Sequence, residues 1–259
     1  MTLAADTTDD AVLGGRLSLR QPRKGHRVGH DAMLLAAAAS ASAGDHAVEL
    51  AAGVGAAGLA FALRVPGVHV TLVDIDPTLV ALANENATRN GLAGRVTAVV
   101  GDVTASTQAF SAIGLPPGCA QHVLMNPPFH DPASARPSPD AARARAHVAA
   151  DDTLSAWMAT TSHLLTGNGI VTLIWRADGL AAVLSALDGF GAIVVVPVHP
   201  SPDAATVRIL VRAVKGRRTP LQLRPGLVLN DLAGRPTAEA ESILRDGRPL
   251  SLAEPKHRE

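Results

Sequence analysis

The chain has 259 residues, of which 47% are hydrophobic, and its 23 basic and 23 acidic side chains give a formal net charge of zero. This length supports one large domain with a sizeable core, and the neutral balance excludes a global electrostatic attraction to nucleic acid or membrane. Cys119 is the only cysteine, which excludes an internal disulfide and a cysteine-based zinc cluster. We find no signal-peptide pattern and no apolar run long enough to span a bilayer. We therefore expect a cytoplasmic protein with no membrane partner and no metal.

Apolar, β-rich runs alternate with helical patterns along most of the chain. The acidic stretch 1–12 is predicted to be disordered, 13–231 to form one domain, and 232–259 to be a polar C-terminal tail. Predicted strands cover 46–50, 69–75, 95–100, 122–126, 169–175, 192–198 and 206–214. Predicted helices cover 32–42, with Asp31 as N-cap, and then 56–65, 77–90, 151–166 and 177–188; a mobile loop is predicted at 131–146. This alternation indicates an α/β, Rossmann-like, mostly parallel sheet. The short link between the last two predicted strands indicates that they pair antiparallel.

The first predicted strand runs into a glycine-containing turn, "VELAAGVGAAG", at 48–58. Gly53 and Gly55 allow the backbone to turn tightly and to approach a ligand closely. The spacing Gly53-x-Gly55-x-x-Gly58 also matches a dinucleotide site, so the glycines do not decide which nucleotide is bound.

Acidic residues end the next two predicted strands. Asp74 is placed to accept two hydrogen bonds from a ribose diol, although Asp76 in "DIDP" competes with it for that role. Asp102 is placed to accept a hydrogen bond from an exocyclic amino group such as that of adenine. The alternative interpretation is that these acids only cap the elements that follow them.

The fourth predicted strand ends in "NPPF", residues 126–129, where two prolines stop the strand. The side-chain carbonyl of Asn126 and the backbone carbonyl of Pro127 could both accept from one planar amino group. Phe129 could stack on a flat base or amide. Such an arrangement suits a nitrogen whose lone pair is delocalised, and a hydride-transfer site has no need of it. The structural alternative is a Pro–Pro turn with a phenylalanine in the core.

Taken in order, "ELAAGVG", "VDID", "GD" and "NPPF" resemble the motifs of Class I S-adenosylmethionine-dependent methyltransferases that carry the N-P-P-[FY] signature. Four further stretches, 21–39, 83–92, 143–147 and 211–229, are similar to the bacterial tRNA(Val) adenine-N6 methyltransferase family, and the resemblance covers about residues 14 to 230. It implies a seven-stranded, mostly parallel methyltransferase sheet with an antiparallel last strand. It also implies S-adenosyl-L-methionine as cofactor and an adenine N6 amine in tRNA as the methyl acceptor.

The resemblance implies a role for each matching residue. The residues expected to contact the cofactor are Glu49, Gly53, Gly55, Asp74, Asp102 and Asn126, and those expected to be catalytic are Asn126, Pro127 and Phe129. Arg27 and Asp31 lie in a segment that packs over the cofactor in the family, so both could line the cofactor site. Equally, Arg27 could be a solvated charge and Asp31 only a helix cap. Ala51 stands where the family usually has glycine, so its methyl group either crowds the cofactor or is harmless.

Other functions stay open on the sequence alone. A protein glutamine N-methyltransferase would use the same "NPPF" chemistry, but such enzymes usually carry a sizeable helical region ahead of the glycine turn. A cofactor- or RNA-binding protein without turnover, in which Ala51 marks decay, and a nicotinamide dehydrogenase are both disfavoured by "NPPF".

Two local basic blocks in this neutral chain suggest a surface that faces RNA phosphates. One contains Arg208, Arg212, Lys215, Arg217, Arg218 and Arg224, and the other contains Arg16, Arg20, Arg23, Lys24 and Arg27. The alternative is that both are ordinary solvated faces.

Overall fold

The computed structural model of the chain describes residues 6–24, 27–127 and 154–250. The strands are β1 (Thr7–Val12), β2 (Leu17–Pro22), β3 (His46–Leu50), β4 (His69–Asp74), β5 (Val96–Val100), β6 (Ala120–Met125), β7 (Leu165–Arg176), β8 (Phe190–His199), β9 (Arg208–Lys215), β10 (Gln222–Leu223) and β11 (Leu227–Val228). The helices are α1 (His30–Ala38), α2 (Ala56–Arg64), α3 (Pro77–Arg89), α4 (Thr107–Ala112), α5 (154–164 within the described residues), α6 (Leu180–Ala186) and α7 (Ala238–Leu244).

The central sheet has the strand order β5-β4-β3-β6-β7-β9-β8. Strands β3 to β7 are parallel to one another, whereas β9 runs antiparallel to both of its neighbours, β7 and β8. The short β10 and β11 add to β8 in parallel. The predicted Rossmann-like sheet with an antiparallel last strand is therefore confirmed.

Both faces of the sheet are covered, which explains why its strands are continuously apolar. In β6, Leu124 points into the cluster that contains α1, α2 and α3 residues. Its neighbours Val123 and Met125 point into a second cluster, built around Trp157 and Trp175. The order of connections reverses between β3 and β6, and this is the point at which a doubly wound sheet opens a crevice for ligands.

The N-terminus differs from the prediction of disorder over 1–12, because Thr7–Val12 forms β1 and pairs antiparallel with β2. Asp9 is paired with Arg20 at 2.8 Å and with Arg89 at 3.0 Å, and Asp10 is paired with Arg27 at 2.8 Å. The bond from Arg20 holds the pKa of Asp9 below its usual range. The acidic stretch is ordered because part of the first basic block neutralises it.

Two further predictions need correction. Gly29, not Asp31, is the N-cap of α1, and Asp31 lies in its first turn, where its Oδ2 accepts from Arg208 Nε at 2.9 Å. The predicted polar tail contributes α7 and buries Ile243 and Leu250 in the core. The backbone N–H of Leu250 also donates to the carbonyl of Ala37 in α1, so the folded chain extends beyond residue 231.

Candidate active site

The register of the parallel strands brings four strand ends to one edge of the sheet. Leu50 at the end of β3 lies opposite Val73 of β4 and Met125 of β6, and Asp74 lies opposite Val100 at the end of β5. The glycine turn, Asp74, Asp102 and Asn126 therefore meet at the carboxyl edge, beside the crevice between β3 and β6.

The turn after β3 contains three residues in left-handed conformation. Gly53 and Gly55 have φ values of 57° and 83°, as glycine readily adopts, and Ala51 has a φ of 51°. Position 51 therefore has a backbone conformation that favours glycine, and this chain adopts it with alanine.

A buried carboxyl group lies beneath this turn. Glu49 Oε2 accepts from the backbone N–H of Gly58 at 2.6 Å. A Cβ at Gly58 would come within 2.7 Å of that oxygen and 2.4 Å of Leu72, so only glycine allows α2 to pack this close to the sheet. Burial, together with the nearby charge of Asp74, raises the pKa of Glu49 to about 8, against the opposing effect of the Gly58 bond. Glu49 is therefore mostly protonated at neutral pH.

The two acids of "DIDP" have different positions. Asp74 is buried, and its carboxylate accepts from the backbone N–H of Gly53 at 2.7 Å and of Asp76 at 3.0 Å. Asp76 is exposed and caps α3, with its Oδ1 accepting from Thr78 N–H at 2.8 Å. The structure thus places Asp74 against the glycine turn and Asp76 at the helix.

Asp102 is exposed and closes a local turn. Its Oδ1 accepts from both the backbone N–H and the hydroxyl of Thr104, at 2.8 and 2.7 Å. No bond to its Oδ2 occurs among the described residues, so one oxygen stays available at the carboxyl edge.

Asn126 directly follows β6 and carries a shielded polar atom. Its Oδ1 is hidden from solvent and makes no hydrogen bond with any described residue. Pro127 beside it is buried. Phe129, the third predicted catalytic residue, lies outside the described residues, as do the 131–146 loop and the 143–147 motif.

Sequence reasoning missed two residues that bear on this edge. Ile75, between the two acids, is 66% exposed, which is unusual for so large an apolar side chain at a strand end. Asn86 of α3 is fully buried and donates to the carbonyl of Val54 in the glycine turn at 3.1 Å. An apolar residue between two acids was a visible signal for Ile75, whereas nothing local marked Asn86 out among the asparagines of 83–92.

Several members of the two basic blocks are engaged by contacts within the chain. In the first, Arg20 and Arg27 are paired with acids, and in the second Arg208 is paired with Asp31. Lys215 donates to two backbone carbonyls. Arg27 is therefore engaged with Asp10 of the N-terminal hairpin, and Asp31 is engaged with Arg208 of β9.

No group of three or more metal-ligating side chains occurs in the part of the chain that the structure describes. Nor is any helix among those residues long and apolar enough to cross a membrane.

A doubly wound sheet whose carboxyl edge carries a glycine turn, an acid at each of the next two strand ends and an asparagine can accommodate a nucleotide cofactor. The family model described as "Methyltransferase small domain" matches residues 26–156, about half of the chain. The chain belongs to this methyltransferase family, and its cofactor is S-adenosylmethionine.

Solved structures agree with this assignment. A protein described as a predicted O-methyltransferase, from Agrobacterium tumefaciens, is 28% identical with a TM-score of 0.71, and the match covers 85% of this chain and 97% of that one. TrmN from Thermus thermophilus is 21% identical with a TM-score of 0.51, over 71% of this chain and 47% of that one. An S-adenosylmethionine-dependent O-methyltransferase from Thermotoga maritima is 18% identical with a TM-score of 0.53, over 76% and 69%. The last two show similarity of fold alone. No curated protein sequence matches the chain.

Proposed function

We propose that this methyltransferase is an N-methyltransferase that methylates the exocyclic N6 amine of an adenine in tRNA. The observation that carries the proposal is the shielded Oδ1 of Asn126 at the carboxyl end of β6, which has no partner among the described residues. A buried acceptor without a donor costs roughly 1–3 kcal/mol, and an N–H from the substrate would recover that cost.

The type of donor that fits is an amino group. An –NH₂ group has two hydrogens to donate, and the chain offers two carbonyl acceptors in adjacent residues, Asn126 Oδ1 and the backbone oxygen of Pro127. A hydroxyl group has only one hydrogen. The pair therefore favours N-methylation over the O-methylation named for the Agrobacterium tumefaciens protein. A glutamine amide would satisfy the same pair, so a protein substrate is the second candidate.

The residues at the carboxyl edge fit the cofactor. Bound S-adenosylmethionine supplies an electrophilic methyl carbon on a sulfonium. Asp74 would hold the ribose diol, because both of its oxygens are already oriented by backbone N–H groups and each retains a further lone pair. Asp102 would accept from the adenine amino group with its remaining oxygen, and the exposed Ile75 would cover one face of the base.

In this proposal the chain's own residues act by positioning and polarisation. Asn126 and Pro127 would accept hydrogen bonds from the amine and orient its nitrogen lone pair toward the methyl group. The N–C bond would form as the methyl–sulfur bond breaks, and one proton of the amine would leave to water. Gly53 and Gly55 have no side chains, so the turn leaves room for the cofactor. Phe129 would stack on the flat methyl acceptor. An adenine within folded tRNA would have to be extruded into this edge. The tRNA part of the proposal is supported by the sequence motifs.

Transfer of a labelled methyl group tests the proposal. Total tRNA, total protein and DNA from a strain lacking the protein would each be incubated with the enzyme and labelled S-adenosylmethionine. We expect label in tRNA, recovered as N6-methyladenosine after digestion to nucleosides. Label on a glutamine amide would move the substrate to protein, and label on an oxygen would overturn the N-methyltransferase proposal.

A further inference from the structure

A cavity of about 410 Å³ lies at the amino edge of the sheet, opposite the edge that carries Asn126. It lies among the starts of β6 and β7, the end of α2 and the loop after α1. We call it the amino-edge cavity. Its walls include Arg64, Arg212, His122, Asp45, Ser40 and Asn168.

Arg212 is a cation without a counterion among the described residues. It lies in β9 opposite Thr172 and Val194. Its guanidinium makes no hydrogen bond and no ion pair with any of those residues, and its Nε is shielded from solvent. Burial lowers the pKa of Arg212, as expected of a charge that has lost water and gained no partner.

Arg64 adds a second cation to the same cavity. Its Nη2 donates to the backbone carbonyls of Ala36, at 2.7 Å, and of Ala39. Its Nε is shielded and makes no bond within the described part of the chain. Burial lowers the pKa of Arg64 to about 10. These carbonyls lie at the C-terminal end of α1 and supply only partial negative charge. The guanidinium also lies 5.4 Å from the centre of the Phe61 ring, but it forms no ion pair with an acid among the described residues.

The acid in this cavity is already engaged. Asp45 Oδ2 accepts from Ser42 N–H at 2.7 Å and lies 3.1 Å from His122 Nε2. Burial lowers the pKa of His122 against the opposing bond to Asp45, so this imidazole is mostly neutral at pH 7. Two guanidinium groups against one carboxylate leave the cavity with a net positive charge.

We propose that the amino-edge cavity binds a phosphate group, either free phosphate or the phosphate of a small phosphomonoester. Planar guanidinium groups match the spacing of phosphate oxygens. The surrounding Ser40, Thr166 and Asn168 supply further neutral donors. A tetrahedral oxyanion presents more acceptor atoms to such a wall than a carboxylate does. The site is separate from the methyl-transfer edge and is independent of the function proposed above.

Calorimetric titration of the full chain with inorganic phosphate, at constant ionic strength, tests the site. The key variant is Arg212→Met, which removes the uncompensated charge and keeps a long apolar side chain. Arg218→Met is the matched control, because it removes an equal charge from an exposed position. Parallel titrations use ribose 5-phosphate and acetate, with and without saturating S-adenosylhomocysteine.

We expect wild type to bind phosphate at one site and to melt at a higher temperature in its presence. Arg212→Met should bind about tenfold more weakly or worse, since it loses charge-assisted bonds, and Arg218→Met should bind as wild type does. Without phosphate, Arg212→Met should be at least as stable as wild type, because a partly buried charge without a counterion has been removed. Tighter binding of ribose 5-phosphate than of inorganic phosphate would identify a phosphomonoester as the ligand.

Three results would overturn the proposal. The first is no phosphate binding by wild type, and the second is equal weakening in the two arginine variants, which would indicate a diffuse surface effect. The third is loss of phosphate binding on addition of S-adenosylhomocysteine, which would place the anion at the glycine turn. If Arg212→Met does not fold, Arg212→Lys can be used, which keeps the positive charge but removes the planar guanidinium group. It should then show weakened phosphate binding, and unchanged affinity in that variant would also count against the site.

Discussion

At the residue scale, the turn after β3 contains an alanine in a conformation that favours glycine. Ala51 has a φ of 51°, which costs an L-residue roughly 1–2 kcal/mol. Ala51→Gly should therefore stabilise the protein, by about 0.5–1 kcal/mol once the greater freedom of glycine in the unfolded chain is subtracted. The midpoint of urea unfolding measures this change.

The matched control is Ala57→Gly, in the right-handed helix α2. There the same substitution should destabilise, by about 1 kcal/mol or more. If both variants lost stability, the strain assigned to position 51 would be wrong.

Also at the residue scale, the two acids of "DIDP" can be separated by experiment. Asp74→Ala should weaken binding of S-adenosylhomocysteine by about 2–4 kcal/mol, because two charge-assisted bonds to the ribose are lost. Asp76→Ala removes the N-cap of α3 and should cost about 1 kcal/mol of stability with little change in affinity. Calorimetry and urea unfolding of both variants measure the two quantities, and the reverse pattern would assign the ribose to Asp76.

At the element scale, α3 holds β2 in place through an asparagine. Asn86 Oδ1 accepts from Arg20 N–H at 2.7 Å, and its Nδ2 donates to the carbonyls of Arg20 at 3.0 Å and of Val54 at 3.1 Å. This one buried amide ties the N-terminal hairpin and the glycine turn to the same helix. It gives a physical role to one position of the 83–92 motif.

Asn86→Ala should cost about 2–4 kcal/mol, because it leaves several buried backbone groups without partners. Thr88→Ala, at an exposed position of the same helix, should change stability by no more than about 0.5 kcal/mol. Urea unfolding gives both values, and limited proteolysis should cut the Asn86→Ala variant first near β1 and β2. Equal stability of the two variants would show that the amide is not a structural tie.

The elements that were predicted correctly share a local signal. Strands β3 to β9 are apolar runs, and α2 and α3 are bounded by turn residues. The spacing of apolar residues and the local composition were therefore enough to predict these elements. The hairpin of β1 and β2 is polar and is held by partners distant in sequence, such as Asp9 with Arg20 and Arg20 with Asn86. A local pattern cannot show such partners. Helix α7 was also missed, because the sequence around it is polar and only Ala240 and Ile243 within it are buried.

At the scale of the whole molecule, strand order decided how much of the site the sequence could show. The common location of Asp74, Asp102 and Asn126 was predictable because carboxyl ends of parallel strands meet at one edge. The location of the second basic block was not predictable, because β9 runs antiparallel and its C-terminal end therefore lies at the amino edge of the sheet. Arg217 and Arg218 follow the end of β9 at the amino edge, whereas Asn126 lies at the carboxyl edge.

This separation predicts how salt affects tRNA binding. Arg217→Ala with Arg218→Ala should leave the slope of log K against log salt unchanged. Arg23→Ala with Lys24→Ala is the matched pair, because β2 runs along α3 from Asn90 to Asn86 and so carries these exposed side chains toward the carboxyl edge. That pair should lower the slope by roughly 0.7 to 0.9 for each RNA phosphate that the variant no longer neutralises. Filter binding at several salt concentrations measures both pairs, and the opposite result would place RNA at the amino edge.

The central claim is that the shielded Oδ1 of Asn126 receives the amine that is methylated. The most direct measurement is the turnover of Asn126→Ala with its preferred substrate, alongside its affinity for S-adenosylhomocysteine. We predict that kcat falls by about 10² to 10³, while cofactor affinity stays within a few-fold of wild type. A normal kcat in this variant would contradict the account, and so would a loss of turnover fully explained by lost cofactor binding.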